Sequence, residues 1–96
     1  MICRYELKLH AICPVHFCVD DYDLVVESRQ QIFVERILEI TVACEKKEET
    51  QEQITGTIAR ELWGPFIWRL LLRLFGRGGR AITVGYHYNV KTTVTA

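Results

Sequence analysis

FIWRLLLRLFGRGGRAIT, residues 66 to 83, is the stretch whose reading decides the fold. Taken with a period of two, Phe66, Trp68, Leu70, Leu72 and Leu74 line one face while Arg69 and Arg73 sit on the other. Taken with a period of 3.6, the same arginines stripe an amphipathic helix almost as well. The residues that follow favour the first reading. Gly76-Arg77-Gly78-Gly79 has the composition of a turn, and AITVGYHYNVKTTVT (81–95) is rich in β-branched and aromatic side chains. A hairpin across that turn is the simpler expectation, with 66–75 as one strand and the segment from 81 as its partner.

Working back from there, RYELKLHAI (4–12) alternates Tyr5, Leu7, Leu9 and Ala11 against Arg4, Glu6, Lys8 and His10, the pattern of a half-buried strand. A connection through Pro14 leads to DYDLVVES (21–28), a second strand and the other half of a first hairpin. The period changes at Val34: Ile37, Leu38, Thr41 and Val42 follow at helical spacing, with Glu35, Arg36, Glu39 and the charge run 45–49 outside. Thr50 caps a second helix, with Gln53 in the capping-box position and Ile54, Ile58 and Leu62 as the buried stripe, and Gly64-Pro65 ends it. The expected order is strand, strand, helix, helix, strand, strand, an α+β domain without internal repeats.

Ninety-six residues, 49% of them hydrophobic, suit a single domain (1–96) with one modest core. A chain this short has little room for a deep private pocket, so an active site shared between subunits of a homo-oligomer is expected. Twelve basic and twelve acidic side chains cancel, which argues against a polyanion binder held by bulk charge. Arg4, Glu6 and Lys8 interrupt the N-terminus before a leader-like apolar run forms, and the apolar stretch 62–75 carries Arg69 and Arg73 and is too short to span a bilayer. A soluble, cytoplasmic protein without membrane contact is therefore expected. Cys3, Cys13, Cys18 and Cys44 have no regular disulfide spacing, and free thiols are the default in a reducing compartment.

Cys13 is the first residue able to carry chemistry, as a thiolate nucleophile; the alternative is a thiol that simply packs. Asp20, seven residues on, is either its acid/base partner or a solvated turn aspartate. His10, Cys13, His16 and Cys18 offer atoms that zinc accepts, but there is no second well-spaced pair, and no metal is expected. Glu52 lies in the first turn of the second helix, where a carboxylate suits the helix dipole or accepts hydrogen bonds from the N–H edge of a purine or pterin. His87, between Tyr86 and Tyr88, reads as a packed or hydrogen-bonded strand histidine. Arg69, Arg73, Arg77 and Arg80 form the basic cluster of the chain, suited to phosphates or to solvent.

CPVHFCVD (13–20) is similar to the C-P-x-T-G-Q-P-D motif of the 7-cyano-7-deazaguanine nitrile reductases, members of the tunnelling fold (T-fold), in its cysteine, proline and aspartate. Gln51-Glu52 falls where those enzymes carry His-Glu, and FGRGGRAIT (75–83) resembles their strand, P-R-G-G turn and final strand. The resemblance implies a four-stranded antiparallel sheet with two helices on one face, ββααββ, assembling into pentameric rings stacked as a decamer with sites at subunit contacts. It assigns Cys13 to a covalent thioimide, Asp20 to general acid/base work, Glu52 to the substrate base, and Gln51 and His87 to the same binding site.

Those reductases also carry an E-S-K-S-x-K type motif for NADPH, and its counterpart here, Glu35-Arg36-Ile37-Leu38-Glu39, has neither lysine. The chain thus more closely resembles the reductase-like archaeal amidinotransferases, which convert 7-cyano-7-deazaguanine in tRNA to archaeosine. That resemblance implies no cofactor, ammonia as second substrate, and tRNA as partner, with Arg69, Arg73, Arg77 and Arg80 on its phosphates. The alternatives are an NADPH-dependent nitrile reductase, a zinc-dependent cyclohydrolase (TQEQITGTIARELW, 50–63, also resembles a helix of the GTP cyclohydrolases) and a non-catalytic RNA-binding protein.

Overall fold

Alternation along the first two strands builds one half of the sheet. The computed structural model describes residues 2–12, 19–45, 49–87 and 89–96, with only the backbone of 11, 12, 19, 20 and 87. Strand β1 (Cys3–Ile12) pairs antiparallel with β2 (Val19–Ser28), Leu9 opposite Tyr22, Leu7 opposite Leu24 and Tyr5 opposite Val26. These pairs share the inner face. The outer face carries charge pairs: Lys8 bonds Asp23, which raises the lysine pKa, and Arg4 Nη1 lies 3.7 Å from Glu27 Oε1. The Lys8–Asp23 pair is solvent-exposed and contributes little to stability, whereas Glu27 in the second pair is half-buried.

Helix α1 (Val34–Glu45) turns Ile37, Ile40, Thr41 and Cys44 inward. Helix α2 (Gln51–Trp63) starts at the capping box foreseen in the sequence: Gln53 N–H donates to Thr50 Oγ1 at 3.3 Å and Thr50 N–H to Gln53 Oε1 at 3.0 Å. It buries Ile54, Thr55, Ile58, Ala59 and Trp63 against the inner face of the sheet, and Gly64, at φ 87°, ends it.

The segment on which the fold was expected to turn is a helix. Residues Phe66–Leu74 form α3, and both remaining strands come from the stretch after the glycines: β3 (Gly79–His87) and β4 (Val90–Thr95). The helix layer therefore has three members, not two. Four leucines and two arginines in Phe66–Leu74 favour a helix, whereas residues 79–95 hold the β-branched side chains and outrun a typical strand, so Asn89 sits at a turn that folds them on themselves. The expected four-stranded antiparallel α+β sheet stands, in the order β1-β2-β3-β4, with β1 and β4 at its edges.

The core is one cluster in which Leu9, Leu24, Val26 and Ala81 of the sheet meet Ile40 and Cys44 of α1 and Ile54, Ile58, Ala59 and Trp63 of α2. Its tightest point is Gly79. A Cβ there would collide with the Glu27 carbonyl oxygen and stand 2.6 Å from the Trp63 ring. Gly56, on the outer side of α2, has nothing within 4 Å of the corresponding position. Gly79→Ala is expected to lower stability by about 1–3 kcal/mol through overpacking. Gly56→Ala should raise it by about 0.5–1 kcal/mol through helix propensity. Urea unfolding followed by far-UV circular dichroism measures both.

Candidate functional site

Several strand ends meet at one end of the sheet. β1 ends at Ile12 opposite Val19, where β2 begins, Tyr22 of β2 pairs with Gly85 of β3, and β3 ends at His87, opposite Val90. Helix α2 begins at the same end, because Gln51 bonds Thr83 and Thr92 while Trp63 reaches Gly79 at the other. The backbones of Asp20, Gln51, Glu52 and His87 are thus gathered from far-separated parts of the sequence. Cys13, His16 and Cys18 lie outside the described residues, as do the side chains of Asp20 and His87.

Gln51 does structural work. Its amide nitrogen donates to Thr83 O at 3.1 Å, Thr83 Oγ1 at 3.2 Å and Thr92 O at 3.0 Å. The Gln51 carbonyl accepts from Thr55 Oγ1 at 2.7 Å, and the Thr55 and Thr83 hydroxyls lie 2.6 Å apart. With Thr55 and Thr83 fully buried, the network satisfies polar groups that would otherwise be stranded under the helix. It also sets the height at which Glu52, the next residue, stands above the sheet.

Glu52 is exposed and lines a cleft of about 720 Å³ between α2 and the start of α3, together with Glu49, Arg60, Phe66 and Arg69. Two buried atoms in that cleft, Glu49 Oε2 and Arg69 Nη1, have no hydrogen-bond partner. The cleft thus offers both an acceptor and a donor beside an aromatic ring. Neither Glu49, just ahead of α2, nor Arg60 on it was singled out in the sequence, since a surface charge gives no hint of its neighbours.

The arginines divide. Arg69 faces the α2 cleft, whereas Arg73, Arg77 and Arg80 line a second cleft of about 590 Å³ at the opposite end of the sheet, beside Arg29. Arg80 is held there by Glu27, Nη2 to Oε1 at 3.3 Å. From Gly79 to His87 the strand β3 spans roughly 26 Å at the usual rise per residue, so a single chain keeps the Gly79 end with this basic cleft apart from the His87 end. Arg29 joins because its N–H bonds Gly78 O at 2.9 Å, a contact made by folding across the whole chain.

His10 Nδ1 lies 2.5 Å from Asp21 Oδ1 on the outer face. Among the described residues no three metal-ligating side chains come together, and no helix is long and apolar enough to cross a membrane. Gln51→Leu is expected to cost about 1–3 kcal/mol of stability by stranding the Thr83 and Thr92 acceptors. Glu52→Gln, on an exposed site, should leave stability unchanged within about 0.5 kcal/mol. The same urea titration separates them.

No protein-family model matches the sequence, and neither does any curated protein. Solved structures do match, in eight chains. One is the archaeosine synthase QueF-Like in its apo form, which superposes with a TM-score of 0.72 at 15% identity, covering 99% of this chain and 90% of that one. An identity so low carries the fold and nothing finer, and what it carries is complete: this chain has the tunnelling-fold architecture of that protein from end to end.

Proposed function

We propose that this protein is an amidinotransferase that converts the nitrile of 7-cyano-7-deazaguanine in tRNA to the amidine of archaeosine, with ammonia as the nitrogen source. The observation that carries the reading is the end-to-end fold likeness to an archaeosine synthase, in a chain whose sequence carries Cys13-Pro14 and Asp20 seven residues after the cysteine.

The chemistry follows from the residue types. The Cys13 thiolate attacks the nitrile carbon while the Asp20 carboxylic acid delivers a proton to the nitrogen, giving a covalent thioimide. Ammonia adds to the same carbon, Asp20 takes back a proton, and the thiolate leaves, so nitrile plus ammonia becomes amidine. No electrons change hands, and no step calls for a nicotinamide or a metal. Glu52 accepts hydrogen bonds from the aminopyrimidine edge of the base, with Gln51 and His87 beside it.

A base inside tRNA has to leave its stack to reach the thiolate, and the phosphates on either side need cations. Arg69 stands nearest to Glu52 among the four arginines of the sequence cluster. Arg73, one helical turn on, shares a groove with Arg69, whereas Arg77 and Arg80 line the cleft at the Gly79 end and serve the same RNA best across a subunit contact, in pentameric rings stacked as a decamer. The reaction belongs in the cytoplasm, where tRNA is modified.

The test is the intact mass of the protein after incubation with 7-cyano-7-deazaguanine, for wild type and Cys13→Ala. A gain equal to the whole base, in wild type alone, is expected. Conversion of free base with consumption of NADPH would turn the assignment to a nitrile reductase, and absence of any adduct with free base or nitrile-bearing tRNA overturns the thioimide. Glu52→Gln should slow adduct formation at low base concentration by about tenfold or more, the effect of weakening a charged hydrogen bond.

A further inference from the structure

Three arginines from separate elements meet at the Gly79 end of the sheet. Arg29 follows the last residue of β2, Arg73 sits in the last turn of α3, and Arg77 lies in the turn that joins α3 to β3. All three line one cleft of about 590 Å³, together with Arg80 and Glu27.

Backbone bonds fix where the three side chains start. The Arg29 N–H donates to Gly78 O at 2.9 Å, and the Arg77 N–H donates to Leu72 O at 2.7 Å, which folds the turn back on the end of α3. Gly78 allows that fold: its φ is 93°, and a Cβ there would stand 3.2 Å from the Leu72 Cβ. The Arg29 guanidinium reaches the same turn, with Nη1 3.7 Å from where a Cβ on Gly76 would be. The cations are therefore gathered by the fold before anything binds, which lowers the ordering cost of holding a ligand between them.

These three arginines also lack acidic neighbours. Lys8 has Asp23, Arg4 has Glu6 and Glu27, Arg36 has Glu39 and Glu61, and Arg80 has Glu27. Arg60 and Arg69 share their cleft with Glu49 and Glu52. Among the described residues Arg29, Arg73 and Arg77 form no ion pair, and Glu27, the carboxylate of their cleft, is already shared by Arg4 and Arg80. In a chain of twelve basic and twelve acidic side chains, that surplus is local and not a consequence of net charge.

We infer that this cleft binds two adjacent phosphate groups, with Arg29, Arg73 and Arg77 as their ligands. The planar guanidinium fork matches a pair of phosphate oxygens, and three forks exceed what a single carboxylate or phosphate neutralises. Successive phosphates of an RNA backbone and the diphosphate of a free nucleotide present the same chemistry. The site goes beyond the reaction proposed above, because it brings in Arg29, leaves Arg80 to Glu27 and requires no nitrile base.

Two probes test it. Fluorescence anisotropy follows a short labelled single-stranded RNA of unmodified bases, and inorganic pyrophosphate serves as its competitor and, by calorimetry, as a ligand alone. Arg29→Gln and Arg77→Gln are each expected to weaken binding by about fivefold or more, while Arg36→Gln, which removes the same charge from α1, changes it by less than about twofold. Each lost cleft arginine should also flatten the slope of log K against log salt for the RNA by about 0.7. RNA binding that pyrophosphate displaces assigns the phosphates to an RNA backbone; pyrophosphate binding without RNA binding, with the same ranking of variants, assigns them to a free diphosphate. Binding of neither probe overturns the inference. So does RNA binding that pyrophosphate leaves untouched, or an Arg36→Gln loss equal to that of Arg29→Gln, which would reduce the effect to bulk charge. Circular dichroism checks that the variants fold, and none of these outcomes bears on whether Cys13 forms a thioimide.

Discussion

Helix α2 lies close on β3, and the remainder of the structure depends on that closeness. At one end Gly79 lets the Trp63 ring approach the backbone; at the other, Gln51 hydrogen-bonds down to Thr83 and Thr92. Between them Thr55 and Thr83 share a bond inside the core, where Ile54, Ile58 and Ala59 meet Leu24, Val26 and Ala81. A bulky residue at 79 or an apolar one at 51 would lift one end of the helix. The first turn of α2, which holds Glu52, would shift with it, and so would the cleft walls formed by α3, which follows α2 after only Gly64 and Pro65.

The size of the chain explains its surfaces. A core built from two helices and one face of a four-stranded sheet leaves much of α3 and the outer side of α1 exposed among the described residues. Small domains bury a lower fraction of their surface, and association is a common way to cover the excess. Most of the exposed large apolar side chains lie on or beside α1 and α3 instead of scattering.

The candidate site was legible in the sequence as functional groups and little of it as geometry. Cys13, Asp20 and Glu52 were singled out because a nucleophile, an acid and a base anchor need particular functional groups; of the three, the structure describes the whole of Glu52 alone. Gln51 was read as a substrate contact, yet its amide is engaged with the sheet, a fact decided by Thr83 and Thr92, more than thirty residues away. The arginines looked like one cluster because they are close in sequence. The turn from α3 into β3 sends Arg69 to one cleft and Arg77 and Arg80 to another, and brings in Arg29 from the end of β2.

What the sequence by itself determined is local: the alternation of β1 and β2, the Thr50 capping box, the stop at Gly64-Pro65 and the reach of α1 and α2. Each rests on neighbours within about four residues, where backbone preference and side-chain period act directly. What only the tertiary structure decided is the fate of residues 66–75. Its apolar side chains satisfy a strand and a helix equally, so the choice depends on whether the sheet still needs a strand. Because residues 79–95 fold on themselves to supply two, the place beside β2 is taken by β3, and 66–75 closes its own backbone hydrogen bonds as a helix.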